Sequence, residues 1–300
     1  MTVGIAAICR WIYSETDPGW AVITASDQML TNGDVEYEPP QRKLSAFGRS
    51  AILLVSGEIQ VHSDAIKATQ RHLLSTPESD VRTIAEIYAS NIRKMRADWA
   101  AQTYLSAYGL DQDSFLQKQK YMDADVVREL SSKIESYHFD IQAIVAGINP
   151  SGDAEICNID GFGMSACQTD VGFVSIGIGA GHANLKLMAT GYSKHFNLYH
   201  ACLAKVYAAK KRSEVAPGVG TATDLILITR GGWEYISDEL LTLIESIYQE
   251  WVEAGNRITE ESIKKLIEET PKLAKRKELE VQTDNVRVDE VDAIEKTGLP

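Results

Sequence analysis

Four residues in the first 57 have types that could make a reaction centre: Thr2, Asp27, Lys43 and Gly57. Thr2 follows Met1, and a residue as small as threonine permits removal of an initiator methionine. A hydroxyl alone is a weak nucleophile and needs a base beside it. An N-terminal threonine carries that base in its own α-amine, whose unperturbed pKa lies near ~8. A nearby cation would hold the amine neutral at working pH. The chemistry on offer is attack on a carbonyl, with an acyl group parked on the hydroxyl. Lys43 stands 16 residues after Asp27, and Gly57 stands 14 residues after Lys43.

Those residues need rigid carriers, and the pattern around them supplies strands. Residues 2–9 are short, apolar and bounded, as a strand buried on both faces would be. SETDPG (14–19) has turn chemistry, and a second strand over 20–25 would bring Asp27 beside Thr2 in a hairpin. Asn32-Gly33-Asp34 predicts another turn, and 50–56 a strand ending at Ser56-Gly57. Helices are expected over 57–74, from a cap at Ser79 through 99, and over 123–137. Strands return at 140–147, 154–159 and 172–178, a helical stretch at 182–212, and a strand pair at 224–229 and 233–236. A last amphipathic helix capped by Ser237 is expected to stop at Gly255. This order is not a βαβ alternation. It predicts an α+β architecture, two antiparallel sheets with helices outside.

The segments MTVGIAAI, ITASDQML, PQRKLSAF and LLVSGEIQVHSDAI resemble the start of a proteasome β-type subunit, an N-terminal-nucleophile (Ntn) hydrolase. SIGIGAGHA (175–183) and TDLILITRGG are similar to later segments of that family, and the resemblance covers 2–103 and 139–236. It implies a four-layer αββα sandwich and threonine peptidase activity. It assigns Thr2 as nucleophile and base, Lys43 as the cation beside both, Asp27 as the group that orients Lys43 and the terminus, and the Gly57 N–H as oxyanion donor. It implies a peptide or amide substrate, no cofactor and a homo-oligomeric ring or barrel. The family's supporting serine corresponds to Ile178. Its distal Asp and Ser fall near 214–220, where Glu214 matches the Asp on one alignment, and Ala216 and Val219 stand at the two positions on another. The altered support leaves a silent proteasome-like scaffold, or an Ntn amidase or acyl-transferase, as alternatives.

The remaining features narrow the reading. A domain over 1–255 with a helical insert at 104–138 is expected, followed by a charged, partly disordered extension over 256–300. The net charge of −12 argues against nucleic acid and against an anionic membrane surface. Apolar runs are too short for a membrane span, and the start lacks a signal-peptide pattern, so a cytoplasmic protein is expected. Cys9, Cys157, Cys167 and Cys202 are scattered and are read as small buried hydrophobes, with no metal site. His195 and His200 are expected to pack or face solvent, and His62 to be structural. GIGAG (177–181) lacks the lysine of a phosphate loop.

Overall fold

The computed structural model describes residues 2–14, 17–32, 35–37, 44–49, 51–76 and 79–296; the side chains of 13–18, 30–44 and 272–300 lie outside the description. Residues 1–241 and 242–300 form two separate compact units.

In the first unit, strands β1 (Gly4–Ser14) and β2 (Asp17–Asp27) form a long hairpin. Ser14 pairs with Asp17, so Pro18 and Gly19 belong to β2 and not to the turn expected over 14–19. A short hairpin, β3 (Leu30–Asn32) and β4 (Val35–Tyr37), follows. β5 (Leu44–Phe47) and β6 (Ala51–Gly57) lead into helices α1 (Ile59–Leu73) and α2 (Val81–Leu105). Asp80 caps α2 by accepting from the Thr83 N–H at 2.6 Å, the task expected of Ser79. Helices α3 (Gln112–Lys118) and α4 (Ala124–Ser136) follow, and Leu105, Phe115 and Leu130 form a small core of their own there.

The second half contributes β7 (Ile141–Ile148), β8 (Ala154–Ile159), β9 (Ser165–Cys167) and β10 (Phe173–Ile176). Next come α5 (Ala180–Ala189), α6 (Tyr199–Ser213), β11 (Thr223–Thr229) and β12 (Gly232–Tyr235). The strands form two antiparallel five-stranded sheets, in the orders β10-β1-β2-β11-β12 and β5-β6-β7-β8-β9.

The period-2 alternation of strand side chains sorts the core into layers. Ile52 and Leu54 of β6 and Ile144, Ala146 and Ile148 of β7 meet Ala6, Ile8, Val22, Ile226 and Ile228 of the other sheet. Their neighbours Ala51, Leu53, Ile141, Ala143 and Val145 point the other way, onto Val61, Tyr88 and Ile92 of α1 and α2. Full burial of each such Ile or Leu is worth roughly 1.5–3 kcal/mol, so this face choice fixes the register strongly. On the opposite side α5 and α6 pack on β1, β2 and β10. The result is four layers, αββα.

Helix α7 (Asp238–Lys296) begins at Ser237, whose Oγ accepts from the Leu240 N–H at 3.3 Å. It runs through Gly255 and Pro271 and does not stop at Gly255. Cys9, Cys157 and Cys202 are buried, whereas Cys167 at the edge strand β9 is exposed, unlike the buried position expected for it. No helix among the described residues is long and apolar enough to cross a membrane.

Candidate active site

Thr2 sits just before β1, and Asp27 closes β2 opposite it, because the β1–β2 register pairs Gly4 with Ser26. Both side chains are buried. The Thr2 hydroxyl donates to Asp27 Oδ1. Oδ1 also accepts from the Val3 N–H at 3.0 Å. Oδ2 accepts from the Met29 N–H at 3.2 Å and the Gly220 N–H at 3.0 Å. One buried carboxylate thus ties together the start of β1, the end of β2 and the segment leading into β11. Four donors among the described residues satisfy it, as a buried charge requires.

Gly177 closes the site from the β10 side. Its φ of +84° suits glycine, and a Cβ there would lie 2.1 Å from the Thr2 carbonyl oxygen and 3.0 Å from Ser56 Oγ. Its backbone therefore wedges between Thr2 and the end of β6. Gln142 of β7 fixes this wedge by accepting from the Gly177 N–H at 2.8 Å. Ser56 pairs with Gln142, and Gly57 with Ile141. Gly57 has φ +103°, and a Cβ there would meet the Asp140 carbonyl at 1.9 Å. Thr2 and Asp27 are therefore in direct contact, and Ser56-Gly57 adjoins them across Gly177. Lys43, like Met1, lies outside the described residues.

The Ser56 carbonyl has a buried partner of its own. His62 Nε2 lies 2.9 Å from that oxygen, and Nδ1 lies 2.6 Å from the Tyr88 hydroxyl. A carbonyl only accepts, so Nε2 carries the proton and Nδ1 accepts from the tyrosine. Burial pushes the His62 imidazole down from 6.5 to about 4, against the opposing bond to Ser56, and burial pushes the Tyr88 phenol up. Both groups are neutral at neutral pH. A histidine read as structural thus holds the peptide that leads into Gly57.

Sequence reasoning missed Gln142, Gly220 and Lys210. Gln142 is the polar residue in the apolar run IQAIVAGI, and that break in pattern was the available signal. Gly220 acts through its backbone, which leaves no side-chain signature. Lys210 stands in a basic last turn with Lys211 and Arg212, the composition of an ordinary solvated helix C-terminus. Its side chain is instead fully buried.

Among the described residues, no cluster of three or more His, Cys, Asp or Glu is placed to hold a metal ion. His195 packs edge-on against Trp20, and His200 against Tyr199. A cavity lined by Phe47, Lys67, Arg71 and Leu74 opens beside β5 and α1, and none of the residues around Thr2 lines it.

Two facing antiparallel sheets with helices on both outer faces give this chain the αββα fold of proteasome-like Ntn proteins. A solved structure described as a Gly-1 mutant of Anbu from Hyphomicrobium sp. strain MC1 shares it, with a TM-score of 0.58 at 14% sequence identity. The match covers 87% of this chain and 97% of that one. No family model and no curated protein matches the sequence.

Proposed function

We propose that this chain is a proteasome-like peptidase in which Thr2, freed by removal of Met1, is the nucleophile. The observation that carries this reading is the buried Thr2 hydroxyl held on Asp27, beside Ser56-Gly57. A threonine held by a saturated carboxylate has its attack direction fixed before substrate arrives, which is worth more than the hydroxyl's intrinsic reactivity.

The reaction runs in two steps. Thr2 Oγ attacks the amide carbon, and its proton passes to the α-amine. The collapsing intermediate expels the product amine, which takes that proton, and leaves an ester on Thr2. Water then loses a proton to the α-amine and attacks the ester, which releases the acid and restores the hydroxyl. The Gly57 N–H holds the oxyanion in both steps, a contribution of about 3 kcal/mol for one such donor. Lys43 keeps the α-amine neutral and Asp27 holds the terminus in place. The substrate is a peptide, the protein works in the cytoplasm, and copies of the chain assemble into a ring or barrel.

A second reading is a silent subunit of a proteasome-like assembly. The apolar Ile178, Ala216 and Val219, the last two buried, favour it where the resemblance expects polar support.

The test is intact mass of untagged protein before and after a peptide epoxyketone or β-lactone. Loss of Met1 and one adduct on Thr2 is expected, and Thr2→Ala abolishes the adduct while the protein stays folded, with a melting temperature lowered only by the loss of one donor to Asp27. Retained Met1 with no adduct would move the assignment to the silent subunit.

A further inference from the structure

Lys210 lies within α6 and has no exposed surface; among the described residues it is the one lysine or arginine so buried. An ammonium in that position needs a partner for each of its three donors, because an unpaired buried charge is costly. It has three. Nζ donates to Glu214 Oε1 at 2.6 Å, to the Gly220 carbonyl at 2.8 Å and to the Thr221 carbonyl at 2.9 Å. Glu214, the residue that follows the last turn of α6, also takes Lys211 at 3.1 Å. Burial lowers the Lys210 pKa; the bond to Glu214 and the more distant charge of Asp27 oppose that.

The two carbonyls belong to the segment that delivers the Gly220 N–H to Asp27 Oδ2. The path from Lys210 to the Thr2 hydroxyl crosses one residue, Gly220, and one carboxylate, Asp27. Lys210 holds the Gly220 and Thr221 carbonyls, and the N–H of the same Gly220 donates to Asp27. Nearby positions hold apolar groups: Val219 and Ala216 are buried, and a Cβ on Gly179 would meet Ser213, Val219 and Val3 within 3.1 Å. Ser213 itself is committed to the Lys210 carbonyl.

We infer that Lys210, neutralised by Glu214, is a positioning residue for Thr2. It anchors Gly220 and Thr221 so that the Gly220 amide fixes Asp27, and Asp27 fixes the nucleophile. The inference rests on the reading of Thr2 as nucleophile. It assigns the support of the site to a buried ion pair and a backbone amide.

The experiment compares wild type, Lys210→Met and Lys210→Met/Glu214→Leu by saturation kinetics with a peptide epoxyketone. Intact mass gives the labelled endpoint. The single variant leaves Glu214 without its buried partner and is expected to unfold in part; the double variant removes both charges and keeps the fold. A positioning role lowers the maximal labelling rate of the double variant by at least about tenfold with unchanged half-saturation. A packing role lowers only the endpoint, so an unchanged maximal rate on the folded fraction overturns the inference. Failure of wild type to label would instead overturn the peptidase reading. Hydrogen exchange then decides the positioning by itself: faster exchange at both Met29 and Gly220 in the double variant upholds it, and unchanged exchange at Met29 overturns it.

Discussion

Behind Asp27 the protein buries charge, and behind Gly57 it buries neutral rings. On the first side a carboxylate with four donors leads through Gly220 to a lysine with three acceptors. On the second, Tyr88 donates to His62 and His62 donates to the Ser56 carbonyl, with no formal charge in the chain. The difference lies in what each arrangement tolerates. A buried charge with every donor matched has no spare partner, so any change strands another group. A neutral relay asks only that each donor still faces an acceptor. Its members also polarise one another, so the His62 N–H on the Ser56 carbonyl makes the adjoining Gly57 N–H a stronger donor.

Asp27→Asn should break the charged side most. Either orientation of the amide turns its NH2 toward two of the groups that now donate to Asp27. The Val3 N–H loses its acceptor in one orientation, and the Met29 and Gly220 N–H groups lose theirs in the other. In the first, less costly orientation the Val3 N–H and the amide N–H that faces it both lack an acceptor, and a loss of about 4 kcal/mol is expected from those two donors, with Thr2 labelling abolished. Urea denaturation and intact mass check both, and a stable, fully labelled variant would mean that the carboxylate only fills space.

On the other side Gly57→Ala should cost about 3 kcal/mol, because a Cβ at φ +103° collides with the Asp140 backbone and cannot rotate away. It should also slow labelling more than it weakens inhibitor binding, since the displaced N–H is the proposed oxyanion donor. Equal effects on both would separate Gly57 from the chemistry.

The contrast also decides what could be read from the sequence. The hairpin that joins Thr2 to Asp27 was legible, since two bounded apolar stretches flank the turn chemistry of SETDPG. Two antiparallel sheets with helices outside followed from the order of the elements, and the four-layer αββα stacking from the family resemblance. The charged support was not legible, because Lys210 looks like one of three basic residues at a helix end and only tertiary packing buries it. The short strands β3, β4, β5 and β9 were missed because three or four residues carry too little periodicity, and their partners define them. Gly255 reads as a stop by local propensity, yet α7 continues past it and through Pro271.

His62 separates the two sides most finely, through pH. Its imidazole titrates at about 4 in the folded protein because burial disfavours the cation, against 6.5 when exposed. Between those values the unfolded chain holds a proton at His62 that the folded chain does not. Stability therefore falls as pH drops from 6.5 to 4, by about 3 kcal/mol in total from this residue. His62→Gln keeps an N–H2 that can reach the Ser56 carbonyl but cannot titrate. It should cost about 1 kcal/mol at pH 7, and its stability should lose less than wild type on acidification, so that the variant becomes the more stable of the two near pH 4. His62→Leu removes the titration as well, but leaves the Ser56 carbonyl and Tyr88 hydroxyl without a partner. It should therefore slow Thr2 labelling where His62→Gln does not. Urea denaturation across this pH range, with labelling rates at pH 7, tests both. Equal labelling by the two variants would place His62 in the core alone, and a parallel pH dependence in wild type and His62→Gln would assign the acid sensitivity to another group.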